Sequence, residues 1–476
     1  MHRSESEHLI AQHANRQRSW GSGVLLCGLV GLGCTRAESG PPPRPDTAAE
    51  PASSAPASSA PVSPAAAAPE PSASAWAGPV AAAPTRYPLD RTHSPLTRGV
   101  VEHLRRIRAR DPSLRDDSFA KIGDSVTASG DFFHCLVTEK VRWGQHADLR
   151  TTVEEFRAVT GPNPFQRESL AARIGWSAYK VLEGHPSPLE RELAIMRPRY
   201  AVVMFGTNDI EIGQLHYFAD RIFDLVEQLT ERGVVPILST IMPRQDRDGA
   251  AASVARYNAV IRGIAQARQV PLVDYHRELV RLPGAGVGED GIHPKTYVGS
   301  LGRNACDFTD AGLRYGYNLR NLLMLRALQR VSVAVTGASF APEPDPAPLA
   351  RAAVAGGARV IPALPFVDAR LAKDAGQRVL DGYSCPSKRS ASGPEFLYQF
   401  GLEQRTTVRI MGFDRGGADV DLWLMPSPAR PERCLGHGRR TILTTLPAGT
   451  YALALEVVSA GGADGRGDVM LVVQRQ

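Results

Sequence analysis

The chain has 476 residues, of which 43% are hydrophobic and 22% charged, a globular composition too long for one ordinary core, so two or more domains are expected. The net charge is +6 and the pI about 9.0, but the basic residues are mostly scattered arginines with no compact run and no interleaved aromatics. That pattern reads as a solvated surface and leaves nucleic acid out as an expected partner.

At the start, "RQRSW" precedes the apolar run "GSGVLLCGLVGLGC", which ends at Cys34. At about 13 residues the run is too short to span a bilayer and suits a signal-peptide core. Residues 1–34 are therefore read as a signal peptide, and the chain as exported. The ending "GLGC" resembles a bacterial lipobox, which implies lipidation of Cys34 and a membrane anchor; Gly31 stands where that pattern prefers leucine. A plain secretion signal and a mis-assigned start are the alternatives. Residues 35–86 are rich in Pro, Ala and Ser ("PASSAPASSAPVSPAAAAPEPSASA") and lack the large apolar side chains that offset chain entropy, so they are expected to form an extended tether.

Residues 87–335 alternate buried strands with amphipathic helices. "SFAKIGDS", "RYAVVMFGTND", "VVPILSTIMP" and "VPLVDYH" read as strands. "YFADRIFDLVEQLTERG", "ASVARYNAVIRGIAQARQ" and "TDAGLRYGYNLRNLLMLRALQRV" read as helices, the last opened by Thr309 or Asp310 as N-cap. Continuous apolar strands imply a parallel sheet covered on both faces, a three-layer αβα flavodoxin-like arrangement that binds ligands at the carboxyl ends of its strands. Residues 336–355, overlapping "APEPDPAPLARAAVAGGA" (341–358), read as a second linker. From 356 to 476 the period becomes two, at Phe396, Tyr398 and Phe400, at Val420, Leu422 and Leu424, at Tyr451, Leu453, Leu455 and Val457, and at Val469, Leu471 and Val473. Gly-rich turns separate these runs, which is the pattern of a small antiparallel β-sandwich.

Six cysteines are present. Setting aside Cys27 and Cys34, two fall in each globular region, which favours the disulfides Cys135–Cys306 and Cys385–Cys434 among three pairings. No CxxC or HxxxH spacing suggests zinc, so no metal site is expected. Asp414, Asp419 and Asp421 could line a calcium site, but solvated turn aspartates are the favoured reading.

Four short elements sit at strand ends or helix starts: Gly123-Asp124-Ser125, Gly175 in "RIGWSA", Gly206-Thr207-Asn208-Asp209, and Asp290-Gly291-Ile292-His293. In that order they resemble the SGNH (GDSL-type) esterases and lipases, over about Asp116 to Val331. The tail pieces "GPEFLYQF", "ADVDLWLM" and "LPAGTYALALEV" resemble bacterial pre-peptidase C-terminal domains, which are accessory sandwiches of exported enzymes. The general layout is similar to myxobacterial lipoproteins with a Pro/Ala tether.

The resemblance implies a serine esterase in which Ser125 is the nucleophile, His293 its base and Asp290 the group that fixes the imidazole. The oxyanion hole would comprise the Ser125 amide, the Gly175 amide and the Asn208 side chain. Gly175 is expected to be glycine so that the backbone can come close. Asp124 and Asp209 are expected to bond loop amides, and His134, His216 and His276 to be structural; Trp176 could line the pocket or pack on the sheet. There is no GxSxG elbow and no phosphate loop, and no cofactor is expected. The expected partner is an ester, with acetyl groups on polysaccharides ahead of lipid esters. An acyltransferase to sugar hydroxyls and a non-catalytic surface glycan-binding protein remain as alternatives.

Overall fold

The first strand, β1 (Arg115–Gly123), follows helix α1 (Arg98–Arg110) and buries its last six residues. Beyond it come the short α2 (Ser125–Ala128), α3 (Arg150–Arg157), α4 (Pro188–Met196), β2 (Pro198–Met204), α5 (Asp209–Ile212), α6 (Leu215–Glu231), β3 (Val235–Ser239), α7 (Ala250–Arg268), β4 (Leu272–Val273), α8 (Tyr275–Leu279) and α9 (Gly316–Thr336). This computed structural model describes residues 84–157, 161–300, 302–337, 339–353, 357–376, 378–380, 382–387, 393–460 and 467–476. The signal peptide 1–34 with Cys34, and nearly all of the 35–86 tether, lie outside the described residues. Among the described residues no helix is long and apolar enough to cross a membrane.

The sheet runs β1-β2-β3-β4, with every pair parallel. All seven residues of β2 are buried, as a strand covered on both faces requires. On the free edge of β1 the chain makes one further parallel bridge, Gly123 to Ala172, closed by Gly123 N to Ala171 O and Arg173 N to Gly123 O, both at 3.1 Å. With that vestigial edge the spatial order is the flavodoxin-like 2-1-3-4-5. The crossover direction reverses beside β1, which is where such sheets bind ligands.

Two helical details differ from the sequence reading. The long helix begins at Gly316, not at Thr309 or Asp310: Asp307 accepts the Thr309 amide at 3.1 Å and its hydroxyl at 2.5 Å, and a separate 3₁₀ turn, Gly312–Arg314, precedes extended Tyr315. The strand in "VPLVDYH" shrinks to two residues because the Asp274 side chain turns back to accept the Arg277 amide and opens α8.

The remaining strands are a small hairpin, β5 (Val298–Gly299) with β6 (Gly302–Arg303), and the C-terminal set: β7 (Arg359–Val360), β8 (Phe366–Leu371), β9 (Glu395–Leu402), β10 (Thr406–Arg415), β11 (Ala418–Pro426), β12 (Gly436–Gly438), β13 (Thr441–Leu446), β14 (Gly449–Ala460) and β15 (Asp468–Arg475). They form a four-stranded sheet, β13-β10-β15-β8, facing a five-stranded one, β12-β11-β14-β9-β7; pairing is antiparallel except β7 with β9. The inward residues form one core that contains all the alternating positions named from the sequence. Both disulfides are present, Cys135–Cys306 and Cys385–Cys434.

The sandwich does not hang free. Met411, Phe413, Met470 and Val472, on the outer face of the four-stranded sheet, join the α/β core beside α7. Gly263 permits this contact, since a Cβ there would meet Met470 Sδ at 2.1 Å and Val367 Cγ1 at 2.9 Å. The stretch read as the second linker is strapped back onto the α/β domain, with Glu343 N bonded to Leu96 O and its carboxylate paired with Arg91 and Arg330.

Candidate active site

Where β1 ends, Asp124 accepts the Val126 amide at 3.0 Å and caps α2, which places Ser125 on the first turn at the carboxyl edge of the sheet. The DGIH loop is built by one carboxylate. Asp290 Oδ1 accepts the Ile292 amide at 3.0 Å and the His293 amide at 2.9 Å, folding the loop into a single turn. Its Oδ2 then lies 2.6 Å from His293 Nδ1, and His293 Nε2 lies 2.8 Å from Ser125 Oγ. Partial burial raises the Asp290 pKa, but the hydrogen bonds from the His293 and Ile292 amides and the His293 ring outweigh it, so the carboxyl is held below its ordinary value. An ionised Asp290 places the imidazole proton on Nδ1 and leaves Nε2 free to accept from the serine.

Gly291 makes the loop's bend with φ of 70°, and a Cβ there would strike the Asp246 amide at 2.7 Å. Two other elements converge on the same edge. Asn208, after β2, donates through Nδ2 to the Trp176 carbonyl at 3.0 Å. The loop that carries Gly175 is tied by Arg173 to the Gly123 carbonyl, two residues before Ser125. Gly175 has φ of 77°, and a Cβ on it would meet nothing within 4 Å. A left-handed backbone favours glycine at this position.

Asp124 and Asp209 bond loop amides. Asp209 Oδ1 accepts the Ala178 amide at 2.9 Å. Burial pushes the Asp124 carboxyl up to about 6 and that of Asp209 up to about 7. His134 sits 3.3 Å from Lys121 Nζ, His216 bonds the Gly412 carbonyl and stacks on Phe413, and burial lowers His276 to about 4. Trp176 packs its ring on the core and offers the site its carbonyl. In the sandwich, Asp414 pairs with Arg440 and Asp419 faces Arg439, while Asp421 is fully buried on β11, not a solvated turn residue.

Residues 122–297 match the sequence profile of the GDSL-like Lipase/Acylhydrolase family, a segment that opens just before Ser125 and closes just after His293. This segment is GDSL-like. The GDSL-like domain is a serine ester hydrolase. Among solved structures, the chain is similar to a GDSL-like lipase from Bacteroides thetaiotaomicron (16% identity, 48% of this chain and 98% of that one, TM-score 0.31). It is also similar to a catalytic mutant of an acetylxylan esterase from Geobacillus stearothermophilus (16%, 44% and 93%, TM-score 0.29). The third is the pre-peptidase C-terminal domain of a collagenase from Bacillus anthracis (14%, 25% and 94%, TM-score 0.17). No curated protein matches the chain.

Two arginines of the GDSL-like domain were not singled out from the sequence. Arg244, in the loop after β3, donates to the Thr207 carbonyl at 3.0 Å and pairs with Glu211 and Asp246, while the neighbouring Gln245 amide bonds the Gly291 carbonyl at 2.8 Å. That loop ties the GTND and DGIH turns together. Arg320, on α9, donates to the Val126 carbonyl at 2.6 Å and to Thr127 Oγ1 at 2.8 Å, holding the turn that carries Ser125. The available signal was a cation on the apolar stripe of α9, among Tyr317, Asn321, Met324 and Leu328. The Cys135–Cys306 bond adds a covalent tie between the segment after Ser125 and the segment after His293.

Proposed function

We propose that the protein is an exported serine esterase that hydrolyses acyl esters, acetyl esters of polysaccharides foremost. The observation that carries this reading is the continuous relay of Ser125 Oγ, His293 Nε2, His293 Nδ1 and Asp290 Oδ2, with steps of 2.8 and 2.6 Å. Ser125 Oγ attacks the ester carbonyl as His293 takes its proton. The oxyanion is stabilised by the Ser125 and Gly175 amides and by the Asn208 carboxamide. Collapse of the tetrahedral adduct breaks the bond to the alcohol, which leaves with the proton from His293. Water, deprotonated by the same imidazole, then releases the acid and restores Ser125. Asp290 orients the ring and stabilises its charged form. Every proton and acyl group in this cycle is accounted for by substrate, water and these side chains.

Export and anchoring belong to the same reading. The apolar run ending at Cys34 and the tether behind it support a lipid-anchored envelope protein, and two disulfides suit an oxidising compartment. The sandwich is read as an accessory domain of pre-peptidase type. The deciding experiment is turnover of p-nitrophenyl acetate by the full chain and by Ser125→Ala. The expected result is loss of nearly all activity in the variant, and equal rates overturn the reading. Acetate release from an acetylated polysaccharide, set against fatty-acid release from a triglyceride emulsion, tests the substrate class.

A further inference from the structure

Strand β10 turns alternate side chains to two environments. Val408 and Ile410 enter the sandwich core, while Met411 and Phe413 enter the core of the α/β domain. Arg409 and Arg415 share the face of Met411 and Phe413, by the period of two. The two arginines meet opposite surroundings. Arg415 faces three carboxylates of α6, bonding Asp224 at 2.8 Å and Glu227 at 2.7 Å with Asp220 at 3.7 Å. Among the described residues, Arg409 bonds only the Gln476 side-chain oxygen, at 2.8 and 3.2 Å. Across from it stands Arg256 of α7, which donates to Ser253 Oγ at 2.8 Å. Among the described residues neither Arg256 nor Arg409 is in an ion pair. Burial, and after it the charge of Arg409, lowers the pKa of Arg256.

These two cations line a cleft of about 470 Å³, together with Gln214, His216, Tyr217 and Thr441. That volume lies within the range of small-ligand sites, about 300–1,000 Å³. Two facing guanidiniums with no counter-charge repel each other, and the repulsion is relieved when an anion with two oxygens sits between them. The rest of the lining mixes the Gln214 amide, the Thr441 hydroxyl and the His216 ring with Leu215, Met411 and the 40%-exposed ring of Tyr217, a combination of polar and apolar surface that suits the edge and the face of a sugar ring. The chain and one ring contact link the cleft's wall to the candidate active site. Its wall at residues 213–217 continues directly from α5, which starts at the residue after Asn208. The Tyr217 ring lies 6.1 Å from that of Tyr179, three residues beyond Trp176.

We propose that this cleft is a subsite for a carboxylate-bearing sugar of the polysaccharide substrate, held by Arg256 and Arg409 with Tyr217 stacked on the ring. The proposal rests on the polysaccharide reading of the active site and narrows it to acidic glycans.

The test is calorimetric binding of a uronic-acid tetrasaccharide to the full chain, beside a neutral xylo-tetrasaccharide and inorganic phosphate. Binding of the acidic sugar at least tenfold tighter than the neutral one, lost at least tenfold in Arg256→Gln/Arg409→Gln and recovered in large part in Arg256→Lys/Arg409→Lys, is the expected result. Unchanged p-nitrophenyl acetate turnover in both double variants shows that they remain folded. Equal binding of acidic and neutral sugars, or acidic binding indifferent to both double variants, overturns the proposal. Phosphate binding as tightly as the tetrasaccharide overturns the sugar assignment. Ser125→Ala binds the acidic sugar as wild type does. Acidic binding by a wild-type chain whose p-nitrophenyl acetate turnover is absent or no faster than that of Ser125→Ala would therefore sink the esterase reading alone, and Ser125-dependent turnover without acidic binding would sink the cleft alone.

Discussion

Arg320 of α9 reaches under the turn that carries Ser125 and donates to the Val126 carbonyl at 2.6 Å. Its guanidinium also lies 3.8 Å from the centre of the Phe132 ring and is almost wholly buried. The nucleophile's turn is thus held by a helix that begins almost two hundred residues later. Replacing Arg320 with methionine leaves the Val126 carbonyl and the Thr127 hydroxyl without their charged donor. We expect a loss of about 2–4 kcal/mol, read from the urea midpoint, and a drop in kcat at nearly constant KM. An unchanged kcat in a folded variant would mean that the turn keeps its shape without the arginine.

Asp290 does two jobs with two oxygens: Oδ1 folds the DGIH loop and Oδ2 orients His293. Asp290→Asn keeps an oxygen for one job and presents an amide to the other. Either the loop or the ring tautomer suffers. The expected fall in kcat is about 10,000-fold, the loss typical when the orienting carboxylate of such a relay becomes an amide. A loss of less than tenfold in pre-steady-state acylation would remove Asp290 from the mechanism.

Asn208 has one side-chain bond in view, to the Trp176 carbonyl, and that bond aligns the carboxamide with the loop of Gly175. Asn208→Ala is expected to lower kcat by about 100–1,000-fold with little change in KM, as for loss of one oxyanion donor. Gly175→Ala is a different experiment, because open space surrounds the position and only its φ of 77° resists the methyl group. The cost expected there is about 1–2 kcal/mol of backbone strain, with a lower kcat as the amide swings off its line. An Asn208→Ala enzyme with wild-type kcat would assign the oxyanion to backbone amides alone.

What could be read from the sequence, and what could not, follows from where information is local. The β2 and β3 strands are largely apolar runs and β1 ends in a shorter one broken by Lys121, and the turns after β1 and β2 carry small polar residues in short fixed spacings, so both were legible. The inward stripes of the sandwich, such as Tyr451-Leu453-Leu455-Val457, stood out because the residues between them, Ala452, Ala454 and Glu456, are small or charged. Strand β10 was missed for the opposite reason. Val408 and Ile410 face one core and Met411 and Phe413 another, so no polar alternation marks the strand. Its outward arginines gain meaning only from α6 and α7, more than a hundred residues away. Arg244 and Arg320 were hidden in the same way, since a cation in a loop or helix shows its role only through the carbonyls that fold against it.

The buried carboxyl of Asp209 makes a pH prediction with a definite sign. Burial pushes it up to about 7 from an ordinary value of 3.8, and the Asp124 charge adds to the effect. Between about pH 4 and pH 7 the folded chain retains a proton that the unfolded chain has released. Stability from this group is therefore full below about pH 4 and is lost as pH rises toward 7, by up to about 1.4 kcal/mol per pH unit. Asp209→Asn keeps an acceptor for the Ala178 amide and cannot titrate. Wild-type stability minus that of Asp209→Asn, from urea midpoints at pH 4.5, 5.5, 6.5 and 8, should fall across the first three and level off at the last. A flat difference would show that Asp209 is ionised throughout.

The contact between sandwich and α/β domain offers a test that does not touch the chemistry. Gly263 lies on α7 where β8 and β15 cross, and the Cβ position is occupied by Met470 Sδ and Val367 Cγ1. Methionine can swing aside, but the branched Val367 cannot do so without moving its strand. Gly263→Ala therefore tests a methyl group that Met470 can partly accommodate, whereas Gly263→Val forces the layers apart. The valine variant is expected to lose about 1–3 kcal/mol from overpacking, with the alanine variant less affected because a helical alanine recovers part of the cost in backbone entropy. If the sandwich is held mainly by this helix face, limited proteolysis of Gly263→Val should cut first within residues 339–365, releasing the tail while p-nitrophenyl acetate turnover persists. A valine variant as stable and as protease-resistant as wild type would show that Arg415 and its three carboxylates on α6, not the packing at Gly263, hold the sandwich in place.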